Sequence, residues 1–234
     1  MNAATLRAEL ASIAKPEDAV ILARFFKTGK GQYGYGDRFI GVKVPPLHKI
    51  AKRERGLALS ETVKLLRSKI HEERLLALFI LTEKFPREDE AGRKKIFDIY
   101  IKYKKHINNW DLIDLSAETV VGGYLMDRDR GLLSTLAKSK SLWDRRIAML
   151  SCFEFIRAKD FKTAFEIADI LLLDSEDLIQ KAVGWMIREI GNRDIKAEEK
   201  FLKARYKKMP RTMLRYAIEK FPGKKRQAYL KGRV

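Results

Sequence analysis

Leu-Ile-Gln-Lys-Ala-Val-Gly-Trp-Met-Ile-Arg-Glu-Ile, residues 178–190, places Ile179, Ala182, Val183, Met186, Ile187 and Ile190 at i, i+3, i+4, i+7, i+8 and i+11. At about 3.6 residues per turn these six side chains form one stripe, which predicts an amphipathic helix with that stripe buried. Trp185 lies off the stripe, with Lys181 four residues before it and Arg188 three after, so it is expected to look out among cations. The same period runs through approximately 3–13, 17–27, 46–54, 60–67, 71–84, 90–106, 109–126, 130–137, 142–157, 161–173, 195–208 and 211–220. Pro16, Pro86, Pro210, Asn108, Asn109, Gly191 and Gly223 punctuate helix ends. No set of alternating strands is present, so the chain reads as all-α.

The helices also repeat. Arg74-Leu75-Leu76-Ala77, Arg145-Arg146-Ile147-Ala148, Gln180-Lys181-Ala182 and Leu214-Arg215-Tyr216-Ala217 each set a cation shortly before a small residue. Alanines at 77, 148, 182 and 217 are 71, 34 and 35 residues apart, the first interval being close to two of the others. A period of about 35 residues is that of one helix pair, the unit of an α-solenoid. Stacked pairs make a curved surface, and a basic concave surface can track a duplex.

Composition sets the wider bounds. A chain of 234 residues, 46% hydrophobic and 34% charged, can bury a core and is expected to be ordered, as a single domain over 1–234. The lone cysteine, Cys152, has no partner for an internal disulfide, which fits a reducing compartment. Apolar runs fall short of the roughly 18–20 residues that span a bilayer, and Arg7 and Glu9 leave no secretory hydrophobic region, so a soluble cytoplasmic protein is expected.

The formal charge of +18 is segregated. Residues 24–55 hold nine Lys/Arg against Asp37 and Glu54, a net of +7, and residues 196–234 hold fourteen against Glu198, Glu199 and Glu219, a net of +11. These two segments account for the whole excess, leaving the rest neutral. Clustered cations suit a polyanion, because neutralising phosphates releases condensed counterions. A solubilising surface needs no such segregation, and no segment joins a basic face to a broad apolar one as a membrane-surface helix would.

Thr28 to Gly41 breaks the helical pattern with five glycines in residues 29–41, together with Tyr33 and Tyr35. Residues 29–34 match a dinucleotide fingerprint in form, but they follow a helix and lack a parallel-strand unit. A short Gly-rich hairpin or ordered loop is expected. Lys30 and Arg38, with Lys27, can hold phosphates beside its backbone N–H groups; a solvated connector that packs its tyrosines is the other reading.

Other chemistry is sparse. His71-Glu72 begins like a zinc-protease motif, but Leu75 stands where a second histidine is required, so no metal site is expected. His48, His71 and His106 read as surface or capping groups. Trp110 and Asp114 are four apart and share a helix face; Asp114 reads as a salt-bridge partner or as a catalytic carboxylate, and Trp185 as a covered rim residue or as a contact for sugars, bases and phosphates.

Asn-Asn-Trp-Asp-Leu-Ile-Asp at 108–114, Leu-Trp-Asp-Arg-Arg-Ile-Ala at 142–148 and the stretch at 178–189 resemble the HEAT-like-repeat DNA alkylation repair family, typified by AlkD-type alkylpurine DNA glycosylases, over almost the whole chain. The resemblance implies a curved α-solenoid whose concave face grips double-stranded DNA. It matches Asp114 to the catalytic aspartate, Trp110 and Trp185 to the tryptophans that pack against the lesion's deoxyribose, and Arg146 to the arginine near the backbone there. Lys181, Arg188, Lys30 and Arg38 join these as expected DNA contacts. The implied activity is excision of cationic alkylpurines of the 3-methyladenine and 7-methylguanine type, by a monomer without a cofactor. The insertion at 29–41 departs from the best-known catalytic members. Relatives with a hairpin near this place bind DNA, particularly branched DNA, without excising bases, which gives the alternative function: a non-catalytic binder of branched or distorted DNA with the same solenoid fold.

Overall fold

The computed structural model describes all 234 residues, and most of them are helical. The chain divides into two compact units, residues 1–120 and 121–234. The first holds α1 (Ala3–Ser12), α2 (Pro16–Phe25), α3 (Val44–Arg53), α4 (Leu59–Leu66), α5 (His71–Lys84), α6 (Glu90–Tyr103) and α7 (Trp110–Asp114). Its centre is α5, buried without a gap from His71 to Leu81 and packed by α3, α4 and α7. A helix with no exposed face draws its stability from tertiary burial; Leu76, Leu78 and Ile80, all fully buried, contribute about 1.5–3 kcal/mol each.

The second unit holds α8 (Gly123–Leu125), α9 (Gly131–Ala137), α10 (Leu142–Arg157), α11 (Lys162–Ile170), α12 (Asp177–Gly191), α13 (Ile195–Arg205), α14 (Arg211–Ala217) and α15 (Gly223–Leu230). Here α10 packs on α9, α11 and α12, and α12 on α13 and α14. All six stripe residues of α12 are buried, as its period predicts. Ala148, Ala182 and Ala217, one on each of α10, α12 and α14, are all buried, and α10 packs on α12 as α12 does on α14, so the period of about 35 residues corresponds to one packing step. No helix is long and apolar enough to cross a membrane.

Three expectations about helix ends need correction. The segment 109–126 is not one helix: α7 stops at Asp114, and a π-helical turn occupies Glu118–Gly122. The hydroxyl of Ser116 donates to the Leu112 carbonyl and pairs with Tyr100 Oη at 2.9 Å, drawing the chain aside, and Gly122 approaches the Ser151 backbone too closely for a side chain. Second, Gly223, expected to mark a helix end, is the first residue of a further helix, α15; only Tyr229 among its residues is buried, so no apolar stripe announces it. Third, Asn109 alone caps α7, its side chain accepting from the Trp110 amide at 2.9 Å.

Residues 27–41 form an ordered, turn-rich loop, not a hairpin; the one strand-like contact is an isolated bridge between Arg38 and Ile70. Gly41 explains part of the local composition. Its φ is +85°, and a Cβ there would lie 1.9 Å from the Lys15 carbonyl oxygen.

Candidate active site

In the first unit the site is built on α7, whose five residues set Trp110 and Asp114 one turn apart. So short a helix has little intrinsic stability, and its neighbours fix it. The Trp110 ring stacks on Phe26 at 5.2 Å and meets the edge of Phe25 at 5.9 Å. Phe26 in turn stacks on Phe39 at 5.1 Å and lies 5.0 Å from the His71 ring. Phe25 is 61% exposed beside the half-buried tryptophan.

His71 is not the surface or capping group expected of it: it is 1% exposed and lies between two carboxylates. Its Nδ1 is 2.8 Å from Asp37 Oδ2 and its Nε2 is 2.8 Å from Asp111 Oδ2. Two acceptors require both ring nitrogens to donate, so the imidazolium is the form that fits. Burial opposes that charge, but the Asp111 and Asp37 carboxylates outweigh it and push the pKa up to about 9. Asp37 is held below its ordinary range in spite of burial, because His71 and Arg74 both bind it; Arg74 Nη2 donates to Oδ1 at 2.8 Å. Beside them Glu72 accepts from three successive backbone amides, Ile40 at 3.0 Å, Gly41 at 2.8 Å and Val42 at 3.2 Å. The first turn of α5 thus clamps the Gly-rich loop on one side and, through Asp111, the helix that carries Trp110 and Asp114 on the other.

Asp114 is half-buried on the same face as Trp110. Burial, and beyond it the negative charge of Asp114, drive the Tyr100 hydroxyl far above its ordinary range. From the clamped loop Lys30 and Arg38 are exposed.

The second unit carries the other expected residues. Trp185 is half-buried on α12, its Nε1 donating to Glu189 Oε1 at 3.2 Å, with Phe153 6.0 Å from its ring. Although burial opposes it, hydrogen bonds from Arg193, Asn192 and Trp185 keep Glu189 below its ordinary pKa. Lys181 pairs with Asp177 at 2.6 Å, and Arg188 pairs with Glu219. Arg146 is 5% exposed, and its guanidinium donates to the Leu178 carbonyl, tying α10 to the start of α12.

The structure therefore brings Trp110 and Asp114 together in the first unit, and Lys181, Trp185 and Arg188 on one helix in the second. Sequence reasoning missed the aromatic bed of Trp110 and the Asp37–His71–Asp111 cluster. The adjacent Phe25-Phe26 pair, and four polar residues opening an otherwise apolar helix at His71, were the available signals.

The family described as DNA alkylation repair enzyme matches residues 6–221. No curated protein matches significantly. Among solved structures, a predicted DNA alkylation repair enzyme from Enterococcus faecalis is similar with a TM-score of 0.69 and 15% identity, covering 90% of this chain and 97% of that one. At that identity the likeness bears on the fold, which the two share as an all-helical repeat architecture. With the family match spanning nearly the whole chain, and with Trp110 and Asp114 held together on α7, the protein belongs to the DNA alkylation repair enzyme family.

Proposed function

We propose that the protein is a DNA glycosylase that releases cationic alkylpurines, of the 3-methyladenine and 7-methylguanine type, from double-stranded DNA. The observation that carries this reading is the pairing of a carboxylate and a tryptophan one turn apart on α7, in a chain of a DNA alkylation repair family.

The chemistry needs little more. Alkylation at a ring nitrogen makes the purine a cation, so when the bond from the sugar C1′ to the base breaks, its electron pair returns to the base, which leaves neutral. No general acid is required. The positive charge moves to an oxocarbenium-like sugar, where the Asp114 carboxylate stabilises it and orients the water that adds to C1′ and then loses a proton to solvent. Trp110, one turn from Asp114, offers a ring face that favours a cationic sugar, at about 0.5–2 kcal/mol. Exposed Lys30 and Arg38 and the basic segments at 24–55 and 196–234 supply phosphate contacts. Arg146, buried against Leu178, contributes by positioning the start of α12.

The alternative, a non-catalytic binder of branched DNA, draws on a hairpin at 29–41; the segment is a loop, so the catalytic reading is preferred. The test is release of free base from methylated duplex, run beside Asp114→Asn. Binding without release above the spontaneous rate returns the argument to the binder.

A further inference from the structure

Behind the loop, in the first unit, a cleft of about 190 Å³ has Asp37, Lys69, Arg74, Lys105, His106 and Asn108 among its lining residues. It is smaller than the about 300–1,000 Å³ of pockets that enclose a drug-sized organic ligand. Three of its polar atoms, Arg74 Nε, His106 Nε2 and Asn108 Oδ1, are buried without a hydrogen-bond partner. That is unusual, since buried polar groups are nearly always paired. Arg74 is 3% exposed; its terminal nitrogens are engaged by Asp37 and the Ser68 carbonyl, which leaves Nε–H as its unpartnered donor. Lys69 and Lys105 stand exposed at the rim and make no ion pair. The one carboxylate present, Asp37, already has both oxygens bound, by His71 and Arg74. The lining is therefore rich in donors, cationic, and too small for a base or a sugar with its neighbours.

We propose that this cleft is a phosphate site, binding the oxyanion of a DNA-strand phosphodiester or of free phosphate between Arg74 Nε, His106 Nε2, Lys69 and Lys105. Asn108 Oδ1 is likewise buried without a partner, and a turn of the amide would present its NH2 group in that place. Desolvation, then Lys105, Arg67 and Arg74, hold the His106 pKa below its ordinary value. An anion reverses the balance, so binding tightens as pH falls through the range in which His106 takes up its proton. This site does not depend on base excision, and its test reads a different quantity.

The probe is the ring resonance of His106 in protein labelled at histidine, titrated with pH in chloride buffer. Three arms follow: no addition, inorganic phosphate, and a short unmodified duplex. The expected result is a rise in the His106 pKa of about one unit, equivalent to tenfold tighter binding by the protonated form. His48 should stay unchanged. The variants Lys69→Ala and Lys105→Ala, both at exposed positions, should each reduce the shift. A response to duplex, alone or competed by phosphate, identifies the strand phosphodiester as ligand; a response to inorganic phosphate alone identifies free phosphate. No response in either arm, or a response that both lysine variants leave intact, overturns the proposal and leaves the unpaired atoms to water.

Discussion

Replacing His71 by glutamine keeps a donor of similar size between Asp37 and Asp111 but removes the charge that reconciles them. The two carboxylate side chains are 2% and 7% exposed, so neither can turn to solvent for relief. The magnitude follows from the proton. A rise from 6.5 to about 9, at about 1.4 kcal/mol per unit, makes the charged imidazole worth roughly 3 kcal/mol. The range of about 3–5 kcal/mol for breaking a buried pair by removing one partner agrees. Below pH 6.5 the ring is protonated in the folded and unfolded chains alike, and the full contribution is present. As pH rises from there, only the folded chain keeps the proton and stability declines, until at about 9 the contribution is gone. Urea denaturation of wild type and His71→Gln, followed by circular dichroism from about pH 6 to about pH 9.5, isolates this term because other groups titrate in both proteins. The expected difference is about 3 kcal/mol near pH 6, shrinking towards zero near pH 9. Two parallel stability curves would refute the claim that this imidazolium holds the loop and α7 to α5.

Three further outcomes are expected. Affinity for duplex DNA should fall by about 10³–10⁵ between roughly 50 and 200 mM salt if six to ten phosphates are engaged, and a salt-insensitive affinity contradicts the role given to the two basic segments. The double variant Lys30→Ala, Arg38→Ala should flatten that salt slope by about two while the thermal midpoint stays put, since both residues are exposed; an unchanged slope makes the loop a connector only. Gly41→Ala should cost at least about 2 kcal/mol through backbone strain at positive φ and collision with the Lys15 carbonyl. A melting curve should show this as a drop of about 4–8 °C, and an unchanged midpoint is the contrary result.

Much of the fold is legible because burial writes a period into the chain. The stripe of α12 reads directly from Ile179 to Ile190, and the alanines at 148, 182 and 217 mark buried positions on three successively packed helices. Periodicity is silent where burial is not what shapes the backbone. It sees no break at Leu115, where the Ser116 hydroxyl and the Gly122 approach to Ser151 decide the path, and no helix at 223–230, where only Tyr229 is buried. Within the site, the i, i+4 spacing of Trp110 and Asp114 shows their shared face. It cannot show that Asp111, one position from Trp110, reaches back forty residues to His71. A histidine followed by three charged residues looks like an exposed first turn, and only the pairing of each one with a distant partner allows all four to be buried.

The most direct test of the central claim is base release from duplex DNA carrying 7-methylguanine, under single-turnover conditions, with wild type and Asp114→Asn compared. The substitution keeps the shape of the side chain and removes its charge. Wild type is expected to release base well above the spontaneous rate, and the variant to lose about 10²–10³ of that rate with duplex affinity and helical content retained, the size found when one preorganised electrostatic contact to a transition state is removed. Tight binding of the methylated duplex by wild type with no release above the spontaneous rate would contradict it.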